Sequence, residues 1–240
     1  HWWAVYSRNK RSISIDLKKD EGLDLLKELV KKADVFIENF LPGTLEKWGI
    51  GPQQLNKLNK NLIILRISGW GQTGIFKNAP GFGSLVEGMS GFAAMTGEEK
   101  QAPLLPPLAL ADMVAGLTGF GAILMAILAS KKNNTGGQVI DLSLFEPFFS
   151  ILGPWAASYK ISGKIPARIG NRSNVAAPRG IYKTKDNKYV SLSASMQSMW
   201  EKLVQTIGSS ELISDPRFLT NSDRLKNQDD LDKPISIFIK

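Results

Sequence analysis

The chain has 240 residues and a mass of 26.4 kDa, with 43% hydrophobic and 22% charged residues, a balance that excludes a disordered chain and a coiled coil. It has no cysteine and one histidine, His1, which excludes disulfides, thiolate nucleophiles, Cys-ligated zinc, iron–sulfur clusters and histidine triads within this stretch. The net charge of +8 favours anionic partners: nucleic acid, an acidic membrane or a phosphate-bearing cofactor.

The elements read as follows along the chain. His1-Trp2-Trp3-Ala4-Val5 lacks the pattern of a targeting leader. Arg8, Lys10 and Arg11 form a basic knot ahead of residues 12–17, whose period-two alternation predicts a strand. Residues 20–32 place Leu23, Leu26, Leu29 and Val30 on one helix face. Residues 34–38 predict a buried strand, 44–48 a short helix and 52–58 another helix. The isoleucine- and leucine-rich core of residues 61–68 predicts a strand of a parallel sheet covered on both faces. Strand and helix alternate to this point, the rhythm of an open, mostly parallel α/β sheet.

Gly69-Trp70-Gly71-Gln72-Thr73-Gly74 then forms a glycine loop, and Pro80-Gly81-Phe82-Gly83 begins a helix that runs through Leu85, Val86 and Met89. Residues 111–129 predict a long apolar helix with Asp112 near its first turn. The most apolar run within it, residues 116–129, is fourteen residues, too short to cross a bilayer, so no membrane partner is expected. Residues 138–143 predict a strand, and 145–159 a helix broken near Pro154. The texture changes after residue 163. Residues 164–178 read as a linker, and residues 180–184 and 188–192 as a hairpin. Helices are expected at 196–207 and near Glu211, and residues 220–232 read as polar and exposed. The expected organisation is thus a large domain over 1–163, a linker over 164–178 and a smaller α+β domain over 179–240.

Asp112 is the sharpest chemical candidate. A carboxylate among Leu108, Ala109, Leu110, Met113 and Val114 is costly unless it is paired or hydrogen-bonded. Two compatible readings stand side by side: a helix N-cap, and a catalytic carboxylate held at a helix N-terminus. The basic knot reads either as solvated surface or as a phosphate site. The glycine loop matches neither nucleotide motif, so it is a plain turn or a close-approach loop whose Gly69 and Gly71 backbone lies against a ligand. Asn39, at the end of a predicted strand, lies where α/β sheets bind ligands. Trp2, Trp3, Trp48 and Trp70 read as core or interface anchors. No nucleic-acid-reading module is present, so a nucleic-acid partner is not expected.

The chain resembles the family III coenzyme A transferases, the group that includes formyl-CoA transferase and carnitine CoA-transferase. The resemblance rests on Asn9-Lys10-Arg11-Ser12-Ile13 with Asp16-Leu17, Ala33-Asp34-Val35 with Glu38-Asn39-Phe40 and Pro42-Gly43, and Ile67-Ser68-Gly69. It continues through Gly71-Gln72-Thr73-Gly74, Ser90-Gly91, Ala111-Asp112-Met113-Val114-Ala115-Gly116 and Thr135-Gly136-Gly137-Gln138-Val139-Ile140-Asp141. It implies a Rossmann-like, mostly parallel sheet, incomplete here, beside a smaller α+β domain, in an interlocked homodimer in the cytoplasm. It also implies a chain that begins after, and ends before, the family's usual termini.

By resemblance, Asp112 is the catalytic aspartate. Its carboxylate attacks an acyl-CoA thioester to give an acyl–aspartyl anhydride and free CoA thiolate, which returns to form an aspartyl-CoA thioester; a small carboxylic or dicarboxylic acid then accepts the CoA. Succinyl-CoA is a candidate donor. The thiol belongs to the coenzyme, so no protein cysteine is required. Coenzyme A enters as acyl-CoA substrate, with no permanently bound cofactor and no metal. Arg8, Lys10, Arg11, Asn39, Lys47, Gly69 and Gly71 are the expected CoA contacts. Lys47 stands where formyl-CoA transferase has an arginine, keeping the charge and losing the bidentate fork. Arg168, Arg172 and Arg179 are candidates for a second substrate carboxylate. The alternatives are an α-methylacyl-CoA racemase-like isomerase, which the lack of an internal histidine disfavours, and a non-catalytic acyl-CoA-binding protein.

Overall fold

A computed structural model describes residues 1–240. Helices α1 (Trp2–Tyr6) and α2 (Asp20–Val30) precede β1 (Val35–Glu38). Helices α3 (Thr44–Lys47) and α4 (Pro52–Leu58) lead to β2 (Ile63–Ser68). Then come α5 (Gly83–Met89), α6 (Phe92–Met95), α7 (Leu110–Asn133), β3 (Val139–Ser143), α8 (Phe145–Ser150) and α9 (Trp155–Ser162). The hairpin β4 (Arg179–Lys183) and β5 (Tyr189–Ser193) is followed by α10 (Gln197–Thr206), a 3-10 turn (Ser210–Ile213), α11 (Asn221–Lys226) and α12 (Gln228–Ile239). The chain divides into two compact units: residues 1–90 with 106–154, and residues 91–105 with 155–240.

The first unit is built on a three-stranded sheet in the order β1-β2-β3, with both pairings parallel. Central β2 buries Ile63, Ile64, Leu65 and Arg66, as its continuous apolar run predicts for a strand covered on both faces. Ile64 packs with Val30, Leu45, Ile50, Leu55 and Leu62, the core under α2, α3 and α4. Leu65 turns to the other face, where a Cβ on Gly119 of α7 would come within 2.9 Å of it and 3.1 Å of Leu142. Gly119 therefore lets α7 settle onto β2 and β3 at closer range than any side chain permits.

The second unit joins the hairpin to α10, α11 and α12 around Ala177, Tyr182, Trp200, Val204, Phe218, Leu231 and Ile235. Arg168 donates to the carbonyls of Ala94, Glu98, Glu99 and Gln101, which ties residues 91–105 to this unit. Arg224 is buried without a carboxylate partner; its guanidinium donates to the carbonyls of Ala177 and Phe218 and to Gln197 Oε1. Burial pushes its pKa below the usual arginine value.

Four expectations are corrected. Residues 12–17 form no strand: no neighbouring strand supplies a ladder, and Ile13 is exposed. Residues 220–232 are not a solvated stretch. They form α11 and the first five residues of α12, and the polar composition hides a one-sided face that buries Arg224 and Leu231, with Ile235 continuing it. Of the core and interface readings of Trp2 and Trp3, the core one is corrected, since both are largely exposed. The apolar helix expected over 111–129 is α7, 24 residues long, so by length and composition alone it meets the requirement for crossing a bilayer. It lies against β2 and β3, and Leu117, Phe120, Leu124, Met125 and Leu128 are exposed.

Candidate active site

Because all three strands run the same way, their C-terminal ends open on one edge of the sheet. Asn39 follows β1, Gly69 follows β2 and Leu144 follows β3. Asp112, the third residue of α7, meets them there. A cavity of about 310 Å³ is lined by Asp112 with Asn39, Ser68, Gly69, Lys77, Phe82 and neighbouring residues. An adjoining cavity of about 290 Å³ also contains Asp112, Asn39 and Leu144, together with Glu38, Ile67, Ala115 and Gly116. This is the crevice where open α/β sheets bind ligands.

Asp112 is not the helix cap. Ala109 holds that position, with no side-chain acceptor of its own. The Asp112 side chain is exposed to the cavity and forms no hydrogen bond or ion pair, so both oxygens are available to a substrate. A missing Cβ makes room for it: one built on Gly83 of α5 would lie 2.9 Å from Asp112 Oδ2.

The cavity floor is set by two glycines. A Cβ on Gly69 would come within 2.4 Å of Gly81 Cα, so only glycine lets the end of β2 touch the loop before α5. Trp70 Nε1 donates to Pro80 O at 2.9 Å across the same junction. Gly71, at φ +87°, lines a separate cavity of about 730 Å³ beside Asp141, whose two oxygens each accept from Gln72 N at 3.0 Å. Asp141 thus latches the glycine loop to β3.

Asn39 is fixed from behind. Glu38 is buried and accepts from Arg66 Nε at 2.7 Å, while its other oxygen accepts from Phe40 N at 2.7 Å. Arg66 also donates to both oxygens of Glu46 at 2.7 and 3.2 Å. Burial opposes the Arg66 charge, but its hydrogen bonds to Glu46 and Glu38 outweigh this and raise its pKa. The same hydrogen bonds from Arg66 hold Glu46 below the usual carboxylate range.

The other expected contacts are dispersed. Arg8, Lys10 and Arg11 lie on an exposed segment after α1, and none of them lines an Asp112 cavity. Arg8 Nε donates to Val5 O and Lys10 Nζ to Tyr6 O. Lys47 ends α3, exposed beside Glu46. Arg172 is engaged by Asp229 and Asp232, and Arg168 by four carbonyls, so neither is free for a substrate carboxylate. Sequence reasoning missed Lys77, Glu87 and Asp141. Lys77 carries no local motif, and Glu87 and Asp141 act on partners 24 and 69 residues away.

A parallel sheet with a crevice and an unengaged carboxylate at its carboxyl edge defines an α/β protein of the open-sheet class. The family model described as CoA-transferase family III matches residues 1–240, and the chain belongs to that family. It is 38% identical over 236 residues to a succinyl-CoA–D-citramalate CoA-transferase of Chloroflexus aurantiacus, covering 98% of this chain and 58% of the relative. It is 33% identical to the succinyl-CoA:glutarate CoA-transferase of Mus musculus, over 98% of this chain and 53% of that one. Among solved structures, a CAIB/BAIF family protein from Brucella suis superposes with a TM-score of 0.81 at 35% identity, covering 96% of this chain and 61% of that chain. The chain therefore spans little more than half the length of these relatives.

Proposed function

We propose that this chain carries the nucleophile of a transferase that moves coenzyme A from an acyl-CoA, with succinyl-CoA as the donor of first choice, to a small carboxylic or dicarboxylic acid. The observation that carries this reading is Asp112: a carboxylate with no partner, at the edge where three parallel strands end. An Asp112 oxygen attacks the thioester carbonyl; the C–S bond breaks, CoA leaves as thiolate, and a mixed anhydride remains on the aspartate. The thiolate then attacks the aspartyl carbonyl and expels the donor acid as carboxylate, leaving an aspartyl-CoA thioester. The acceptor carboxylate attacks that thioester, and the returning thiolate completes the acceptor's CoA ester and restores Asp112. Each step exchanges one acyl bond for another, so no redox partner is needed.

In this reading Asn39 and Gly69 flank the reacting thioester, Gly71 belongs to the loop that borders it, and Arg8, Lys10, Arg11 and Lys47 supply positive charge to the coenzyme's phosphates. Residues 1–163 form the CoA-binding part, residues 179–240 the smaller part, and the whole enzyme is a cytoplasmic homodimer with interlocked subunits.

Intact-protein mass spectrometry after brief exposure to succinyl-CoA tests it. The folded protein should gain the mass of a succinyl or CoA group, and Asp112→Ala should gain neither. An adduct in both, or none in the wild type with any of a panel of acyl-CoAs, overturns the reading.

A further inference from the structure

Helix α7 begins without a side-chain cap of its own, and its second residue is fully buried. A buried N–H there needs an acceptor. It finds one in Glu87, 24 residues earlier: Glu87 Oε1 accepts from Ala111 N at 3.2 Å. Glu87 is itself 4% exposed, a buried carboxylate with no cationic partner, and the reaction steps give it no task.

The same face of α5 meets the same turn of α7 one helical turn earlier. Gly83 and Glu87 are four residues apart and so lie one above the other. At Gly83 a Cβ would lie 2.9 Å from Asp112 Oδ2, so that the carboxylate would have to shift, and in ordinary contact with Ala111 Cβ at 3.6 Å. One helix face thus presents an acceptor to the backbone beside the nucleophile and a gap to the nucleophile's own oxygen.

We propose that α5 is the register clamp of the nucleophile, with Glu87 capping α7 in trans and Gly83 leaving the space that Asp112 occupies. Glu87 is a positioning residue: it touches the backbone that carries Asp112, not the substrate. The proposal rests on Asp112 being the nucleophile, and its test separates the two claims.

Three variants are compared in the whole protein. Glu87→Gln keeps an oxygen acceptor for Ala111 N and loses the charge; Glu87→Ala loses both; Gly83→Ala adds only the Cβ. Gly83 does not adopt a left-handed backbone, so alanine suits its helical position and folding is retained. Amide hydrogen exchange at Ala111 should quicken about fivefold or more in Glu87→Ala, the loss expected for a missing helix cap, and stay near wild type in Glu87→Gln. Adduct formation from succinyl-CoA should slow about tenfold to a hundredfold in Glu87→Ala and Gly83→Ala at unchanged KM for the acyl-CoA, as displaced reacting atoms require. Glu87→Gln should restore most of the rate.

Unchanged Ala111 exchange in Glu87→Ala overturns the clamp, as does equal slowing by Gln and Ala. If the wild type forms no adduct, the transferase reading fails, and the Ala111 exchange pattern still decides the clamp by itself.

Discussion

At the scale of single residues, the crevice holds two kinds of charge. Glu38 is neutralised by Arg66, which leaves Asp112 and Lys77 as the charges facing the open space. Lys77 is the one cation lining either Asp112 cavity. In the transferase reading, a monocarboxylate acceptor presents its only carboxylate to the aspartyl thioester, whereas a dicarboxylate has a second group to place, and Lys77 is the available counter-charge. Lys77→Ala should therefore raise KM for a dicarboxylate acceptor about tenfold, the loss of one charge-assisted hydrogen bond, and leave a monocarboxylate acceptor nearly unchanged. Steady-state kinetics with matched acids of each kind check this, and equal losses for both would assign Lys77 to the coenzyme instead. Asp112 could be singled out from sequence because a lone carboxylate in an apolar run is conspicuous. Glu87 and Asp141 could not, since each is defined by a backbone N–H that only the folded chain brings near.

At the scale of elements, the Glu38–Arg66–Glu46 network joins the ends of β1 and β2 to α3. Those are the pieces that carry Asn39 and Lys47. Glu38 and Arg66 are buried, whereas Glu46 is partly exposed. Removing the cation leaves Glu38 buried and unpaired, so Arg66→Met should destabilise the first unit by about 3–5 kcal/mol, measured by denaturant unfolding. The pH dependence has a definite sign. Arg66 lowers the folded pKa of Glu46 from 4.5, so its contribution is fully present above the ordinary glutamate range and disappears as pH falls through the lowered value. Wild-type stability should decline below about pH 4.5 through this pair, and Arg66→Met should flatten that part of the curve. Strands β1, β2 and β3 were legible because an apolar run between turn signals leaves few alternatives, and α4 was legible from Pro52 at its first position. Residues 12–17 show the limit. Alternation supplies a face, but a strand also needs a neighbour, and pairing is not written in a segment's own sequence. In α12 the apolar positions Leu231 and Ile235 are spaced four apart within a charged stretch, so composition concealed what periodicity held.

At the scale of the whole molecule, the accessible surface is 16,023 Å², against about 10,600 Å² for a compact monomer of this mass. Uncovered apolar faces account for part of the excess. On α7, Leu117, Phe120, Leu124, Met125 and Leu128 recur at helical spacing and are all exposed, a stripe on the same helix that carries Asp112 at its start. A contiguous apolar stripe of this kind marks a surface that another polypeptide covers. In the dimer reading that polypeptide is a second copy. Light scattering on the eluting protein should then give twice 26.4 kDa at micromolar concentration. Phe120→Asp combined with Leu124→Asp should return the monomer mass, because each places a charge in what would be an apolar contact. Both substitutions lie two turns or more from Asp112, so circular dichroism should remain that of the wild type. A wild-type monomer at tens of micromolar would remove the second copy as the cover and assign the stripe to other parts of a longer chain. A dimer that survives both substitutions would place the contact elsewhere on the surface.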